Sequence, residues 1–218
     1  MHLKVIKTDD GSCSVFNSEL NETYHSTFGA LQESTHVYIN NGFSLFSQNS
    51  VSILEVGLGT GLNAALTWQQ AETTGQIANY ISLEPFPLPL SMMQVLVQSY
   101  DLDLAQKLIQ IHEAPWNTPN FFSPFFTFVK NKQTIQDFSS SKLVDLVYMD
   151  AFAPEKQPEM WTPDIISKLA DYLNPNGAIT TYCAKGDLKR SLKACGLFVN
   201  SLPGPIGKRE IIVARKLS

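Results

Sequence analysis

Ile53-Leu54-Glu55-Val56-Gly57-Leu58-Gly59-Thr60-Gly61-Leu62-Asn63 is an apolar run, a turn with glycine at alternate positions and the opening of a helical pattern. Glycines there remove side chains where the backbone must pass close to a ligand, and the free N–H groups of the helix start point into that space. A dinucleotide fingerprint needs G-x-G-x-x-G. Here Leu62 holds the last place and the third glycine, Gly61, comes one residue early. The spacing therefore favours a nucleoside ligand other than a dinucleotide, with Gly57, Leu58, Gly59, Thr60, Gly61 and Asn63 as its expected contacts. A purely structural tight turn reads the same way, so the flanking segments decide.

Downstream, short apolar runs alternate with helical ones, the signature of a parallel sheet with crossover helices in an α/β fold. Seven strands are expected, at 51–56, 77–83, 125–130, 143–149, 178–183, 197–201 and 210–215, with helices filling the gaps. The clearest helices are 62–73, 88–99, 161–173 and 185–195. The third is opened by Thr162-Pro163-Asp164 and closed by Asn174-Pro175-Asn176-Gly177. Upstream, residues 3–16 form two short runs split by Asp9-Asp10-Gly11, which reads as a β-hairpin. A helix is expected from about residue 27 to the stop at Asn40-Asn41-Gly42. The chain is thus read as one globular unit, with a hairpin and helix in 1–48 packed on a core in 49–218.

Composition excludes several classes. Hydrophobic residues are 44% and charged residues 17%, with no run of about 18 apolar residues and no charged-then-apolar start. A membrane span, a disordered chain and a secretory signal are not expected. Three cysteines (Cys13, Cys183, Cys195) lack a C-x-x-C pair, and there are only four histidines (His2, His25, His36, His112). That argues against a disulfide framework and a zinc site, and for a reducing cytoplasm. Cys183 and Cys195 read as buried small residues. Net charge is −4, but from Lys185 onward eight basic residues face two acidic ones, a local +6 against −10 for the rest. Such a tail can offer a positive surface to a polyanion, or simply be the solvated faces of a last helix and strand.

Two carboxylates complete the candidate site. Glu84 follows the strand that succeeds the glycine turn, where a carboxylate can accept from both hydroxyls of a ribose; it could equally be a helix N-terminal acid before Pro85 and Pro87. Asp150 ends the apolar run Val144-Asp145-Leu146-Val147-Tyr148-Met149, at the edge of an open α/β sheet where ligands sit, or it starts an Asx-type turn before Pro154. Asp145 is an ordinary strand-start polar residue.

Asp150-Ala151-Phe152-Ala153-Pro154, followed by Gln157-Pro158-Glu159-Met160-Trp161-Thr162, resembles the methyltransferase of wobble-uridine modification in bacterial tRNA, the family that forms 5-methylaminomethyl-2-thiouridine. The likeness runs almost end to end. It takes in Asp10-Gly11-Ser12, Glu22-Thr23-Tyr24-His25-Ser26, Gly29-Ala30-Leu31-Gln32-Glu33-Ser34, His36-Val37-Tyr38-Ile39, the glycine turn, Leu83-Glu84-Pro85-Phe86-Pro87-Leu88 and Gly207-Lys208-Arg209-Glu210. The resemblance implies a class I, Rossmann-like methyltransferase fold, S-adenosylmethionine as methyl donor and 5-aminomethyl-2-thiouridine of tRNA as acceptor. Many relatives carry a fused flavin-dependent oxidase; a chain ending at Ser218 resembles the stand-alone form, whose amine substrate separate enzymes supply. The resemblance also implies roles for Tyr24, His25, Ser26 and Glu33 over the cofactor, though a hairpin and helix capping the sheet edge would look the same. Where relatives carry an acidic turn facing adenine, this chain reads Lys130-Asn131-Lys132-Gln133-Thr134, leaving backbone groups or Gln133 for that contact. Asp137 is placed in a following helix.

Methyl transfer from a sulfonium to an amine is an in-line displacement that asks the protein to align the reacting atoms, about 3–3.5 Å apart, and to exclude water. Asp150 is the expected catalytic residue, orienting the amine and accepting its proton. Phe152 either stacks on the uracil ring or belongs to the core. Lys185, Lys189, Arg190, Lys208 and Arg209 are the expected phosphate contacts around the anticodon loop, with salt-sensitive affinity. His36 is placed on a helix face and the run Phe121-Phe122-Ser123-Pro124-Phe125-Phe126 in the core. The rival readings are transfer of a methyl or aminopropyl group to a small amine, a non-catalytic nucleotide-binding scaffold, and a nicotinamide oxidoreductase, which Leu62 disfavours.

Overall fold

The computed structural model describes residues 3–217, so His2 and the chain end at Ser218 lie outside the described residues. Strands β1 (Leu3–Lys7) and β2 (Cys13–Asn17) form the expected hairpin, joined by a third short strand, β3 (Glu22–Thr23). Asp10 is the hub of the turn. Its Oδ1 accepts from Thr8 Oγ1 (2.7 Å) and the Ser12 N–H (3.0 Å), and its Oδ2 from the Gln32 N–H (3.2 Å). One carboxylate thus closes the hairpin and satisfies an orphan donor of the next helix. That helix, α1 (Ala30–Ser34), starts three residues later than expected and widens into a π-helical turn over Thr35–Asn40.

Among the described residues eight strands form the main sheet, in the order β10-β11-β9-β8-β4-β5-β7-β6. Strands β4 (Ser50–Val56), β5 (Ile77–Leu83), β7 (Phe126–Asn131), β8 (Val144–Met149) and β9 (Leu173–Thr181) run parallel; β11 (Glu210–Arg215) is antiparallel to β9, and β10 (Phe198–Pro203) to β11. The eighth strand, β6 (Asn120–Ser123), corrects the expected seven. It pairs antiparallel with β7 at the sheet edge, where alternate side chains face water. This also corrects the reading of residues 121–126 as core: Phe126 is fully buried, whereas Phe121 is 81% exposed.

Helices α2 (Leu62–Thr74), α3 (Leu90–Leu96), α4 (Leu102–Glu113), α5 (Pro163–Asp171) and α6 (Gly186–Ala194) cover the two faces. Three expectations need correction. Residues 132–143 between β7 and β8 are turns, and Asp137 there accepts from Thr134 Oγ1 (2.7 Å) instead of lying in a helix. Trp161 belongs to a 3₁₀ turn, and α5 begins at Pro163 behind the Thr162 cap. Asn174-Pro175-Asn176-Gly177 lies within β9, where the register with β8 shifts; the irregular start takes up the proline that an unbroken strand would reject. Cys183 is buried as expected, but Cys195 is half-buried at the end of α6.

One apolar core, with Trp68, Tyr80, Phe126 and Phe128, lies under α2, α4 and the N-terminal segment; a second, with Val147, Met149, Ile166 and Leu192, lies under α5 and α6. Strand β4 is central, and the chain turns outward from it in both directions, through β5 on one side and β8 on the other. At such a switch point the carboxyl ends of neighbouring strands open a crevice. The Gly57 N–H donates to Leu83 O and the Asp150 N–H to Val56 O, both at 3.0 Å, so the ends of β4, β5 and β8 are tied together there.

Candidate active site

The crevice is a cleft of about 1010 Å3 at the carboxyl edge, roofed by the N-terminal segment. Gly57, Leu58, Gly59 and Thr60 form its floor, and Tyr24, Glu33, Glu84, Asp150, Phe152 and Lys208 line its walls. Six other expected residues, Gly61, Asn63, Lys185, Lys189, Arg190 and Arg209, do not line it. Gly61 caps α2 and faces α4: a Cβ there would stand 3.2 Å from His112 Nε2. Asn63 is buried behind Asp150. Lys185 pairs with Glu155, and Arg209 is exposed beside the cleft loop.

Positive φ is required at Gly59 (+52°), and a Cβ there would meet the Tyr24 ring at 3.0 Å. Tyr24 therefore lies directly over the glycine turn, and its ring meets Phe152 edge-on at 4.9 Å. His25 ties the hairpin to the same turn, with Nε2 3.4 Å from Thr60 Oγ1 and Nδ1 3.3 Å from Ser14 Oγ. Burial pushes its pKa down to about 4, so it is neutral at pH 7. His36 bonds the carbonyl of Pro203 through Nε2 at 2.8 Å, linking the N-terminal segment to the loop that bears Lys208.

Glu84 Oε2 accepts the Gly59 N–H (3.0 Å) and Oε1 the Phe86 N–H (2.8 Å). Burial raises its pKa, against the pull of both donors. Asp150 is held at both oxygens: Oδ1 accepts from Tyr38 Oη at 2.6 Å and Oδ2 from Asn63 Nδ2 at 2.7 Å. Burial pushes its pKa up to about 6 despite these bonds, which suits a group that exchanges a proton near neutrality. Asn63 Nδ2 also reaches Glu55 Oε1 (3.2 Å), and Ser82 Oγ donates to Glu55 Oε2 (2.6 Å). Fully buried, Glu55 is pushed to about 8 and is mostly protonated at pH 7.

Lys208 does not project into solvent. Its ammonium stands over the Tyr182 ring, 3.6 Å from the centroid, and against the Glu33 carboxylate, whose other oxygen accepts the Ser26 N–H (2.7 Å). The remaining expected phosphate contacts are largely engaged too: Lys189 with Glu210 (2.6 Å) and Arg190 with Asp187. Tyr38, Glu55 and Tyr182 were not anticipated as site residues. Tyr182 follows β9 at the same strand edge as Asp150, and the edge rule that singles out Asp150 would have found it. Gln133 and Thr134 line the cleft beside Glu84, in the place of the missing acidic turn. Among the described residues no cluster of His, Cys, Asp or Glu could hold a metal ion, and no helix is long and apolar enough to cross a membrane.

Residues 116–217 match the model of a family described as S-adenosyl-L-methionine-dependent methyltransferase. The chain is 29% identical over 214 residues to the tRNA 5-methylaminomethyl-2-thiouridine biosynthesis bifunctional protein MnmC of Cupriavidus necator, covering 91% of this chain and 32% of that protein. It is 28% identical to the protein of the same name from Campylobacter hominis, over 92% of this chain and 31% of the other. It thus spans about a third of the length of these curated relatives. The crystal structure of MNMC2 from Aquifex aeolicus superposes with a TM-score of 0.80 at 22% identity, covering all of this chain and 70% of that one. The fold is that of the class I S-adenosylmethionine-dependent methyltransferases, and the second half of the chain matches the model of a family so described. Within that class the chain is similar, along nine-tenths of its length, to a part of the MnmC proteins.

The site fits the cofactor of its class, S-adenosylmethionine. The floor is glycine backbone over which Tyr24 lies so closely that a Cβ at Gly59 would meet its ring, and a carboxylate closes the end of β5.

Proposed function

We propose that this protein transfers a methyl group from S-adenosylmethionine to the amine of 5-aminomethyl-2-thiouridine at the tRNA wobble position. The observation that carries the chemistry is Asp150, its carboxylate braced on both oxygens and facing a cleft floored by the glycine turn. The substrate rests on the likeness to MnmC proteins over nine-tenths of the chain. Gly57–Thr60, Glu84 and Gln133 would hold the nucleoside end of the cofactor, and Glu33 would hold its amino-acid end. Tyr24 closes the cleft from above. When bound, the cofactor supplies an electrophilic methyl group.

An ammonium has no lone pair to attack with, so the acceptor must react as the neutral amine. Asp150 orients that amine, stabilises the positive charge that develops on nitrogen, and receives the proton released as the N–C bond forms. Phe152 and Tyr182 offer rings at the cleft wall on which the uracil can stack. Arg209, exposed next to Lys208, is the phosphate contact that remains available beside the cleft.

A second reading, transfer to a small amine, draws support from the internal pairing of Lys185, Lys189, Arg190 and Lys208, which leaves less positive surface for RNA than the charge count suggests. Labelled S-adenosylmethionine offered with either tRNA from cells blocked at the aminomethyl stage or a panel of diamines separates the two. Label in tRNA and not in the diamines is the expected result; label only in a diamine contradicts the proposal.

A further inference from the structure

The geometry points to Tyr38, carried by the N-terminal segment outside the Rossmann-like core, as the positioning residue that aims the Asp150 carboxylate and sets how readily it accepts a proton. This rests on the reading of Asp150 as the proton acceptor of the amine. Tyr38 lies on the π-helical turn Thr35–Asn40, a rare conformation that recurs at functional sites because the extra residue re-aims side chains. Its side chain is buried, and its hydroxyl is 2.6 Å from Asp150 Oδ1. The ring packs on Tyr148, with centroids 5.0 Å apart, which fixes the direction from which the hydroxyl donates. Burial and the neighbouring Asp150 charge hold the Tyr38 phenol well above its ordinary range, so it is a donor at every pH at which the protein works.

Each carboxylate oxygen has two lone pairs. Tyr38 takes one on Oδ1 and Asn63 takes one on Oδ2, so the carboxylate cannot rotate and its remaining lone pairs are left for the cleft. The other ionisable groups around Asp150 come from every packed element: Glu33 from α1, Glu55 from β4, Tyr80 from β5, Tyr182 after β9, and Lys208 from the loop before β11. Glu33 opposes the Asp150 charge and Lys208 favours it, and these two partly cancel by pairing with each other. The Tyr38 hydrogen bond is therefore a principal support of the ionised form. It also gives the N-terminal segment a catalytic purpose beyond covering the sheet.

The test is the pH titration of the Asp150 side-chain carboxyl by 13C NMR, assigned with Asp150→Asn and recorded without tRNA. The outcome therefore does not depend on the identity of the acceptor. In Tyr38→Phe the Asp150 midpoint is expected to move up by about one pH unit, the size of a lost hydrogen bond to a charged group. Tyr148→Phe, which removes a neighbouring hydroxyl bonded to Thr67 instead, should leave it in place. If Tyr38→Phe does not fold, 3-fluorotyrosine placed at position 38 keeps the ring and strengthens the donor, and the midpoint should move down. An Asp150 midpoint unmoved by the change at position 38 overturns the inference. Loss of methyl transfer to tRNA by the unmodified protein would instead overturn the proposed function and leave this titration standing.

Discussion

A Cβ at Gly57 would lie 2.5 Å from the backbone oxygen of Asp150. The two ends of the cleft, the glycine turn after β4 and the loop after β8 that starts with Asp150, are thus in direct backbone contact, made possible by a residue with no side chain and a φ of +95°. Gly57→Ala combines left-handed strain with that clash. It is expected to destabilise the fold by about 1–3 kcal/mol and to abolish measurable S-adenosylmethionine binding, as read by thermal melts and calorimetry.

Asp150→Asn keeps the size and one acceptor oxygen of the side chain but removes its basicity. A fall in kcat/KM of about 100-fold or more is expected, the usual scale of a lost general base. In the unmodified protein the pH profile should steepen below about pH 6, where Asp150 takes up its proton, in addition to the limb set at higher pH by deprotonation of the acceptor amine, and the residual activity of the variant should lack that lower break.

Glu55 makes stability depend on pH in a direction opposite to that of most carboxylates. Its folded pKa, about 8, lies above its unfolded value, so the folded state binds more protons across that window and stability falls as pH rises through it. Glu55→Gln preserves the shape and can bond Ser82 and Asn63. It should leave stability nearly unchanged near pH 4 and raise it by about 1–3 kcal/mol above pH 8, on the scale of relieving a buried charge. Urea denaturation at several pH values measures the difference.

Charge on the carboxyl-terminal segment should not act as its count suggests. Arg190 is tied to Asp187 within α6, whereas Arg209 makes no ion pair among the described residues. Arg209→Ala is expected to weaken tRNA binding several-fold and to reduce the slope of log affinity against log salt by about one, while Arg190→Ala changes neither appreciably. Filter binding across a salt series reads both quantities.

The parts of the site that were legible in the sequence are those set by local chain direction. A glycine turn after one strand and a carboxylate at the end of another must share an edge in a parallel sheet, so Gly57–Thr60, Glu84 and Asp150 could be brought together without coordinates. Contacts between distant segments could not. Tyr38 meets Asp150 across 112 residues of chain, through a π-helical turn whose phase the apolar pattern does not encode. Lys208 looked like a surface cation because the pattern around it cannot reveal Glu33 and Tyr182. The strand Asn120–Ser123 was hidden for a related reason: its phenylalanines read as core, although an edge position leaves one of them in water.

Nucleoside mass analysis of tRNA after incubation with S-adenosylmethionine tests the central claim most directly, using tRNA from cells that accumulate 5-aminomethyl-2-thiouridine. The account predicts that this nucleoside gains one methyl group with the unmodified protein and gains none with Asp150→Ala. An unchanged nucleoside in the presence of a protein that demonstrably binds S-adenosylmethionine, or equal methylation by the variant, would contradict it.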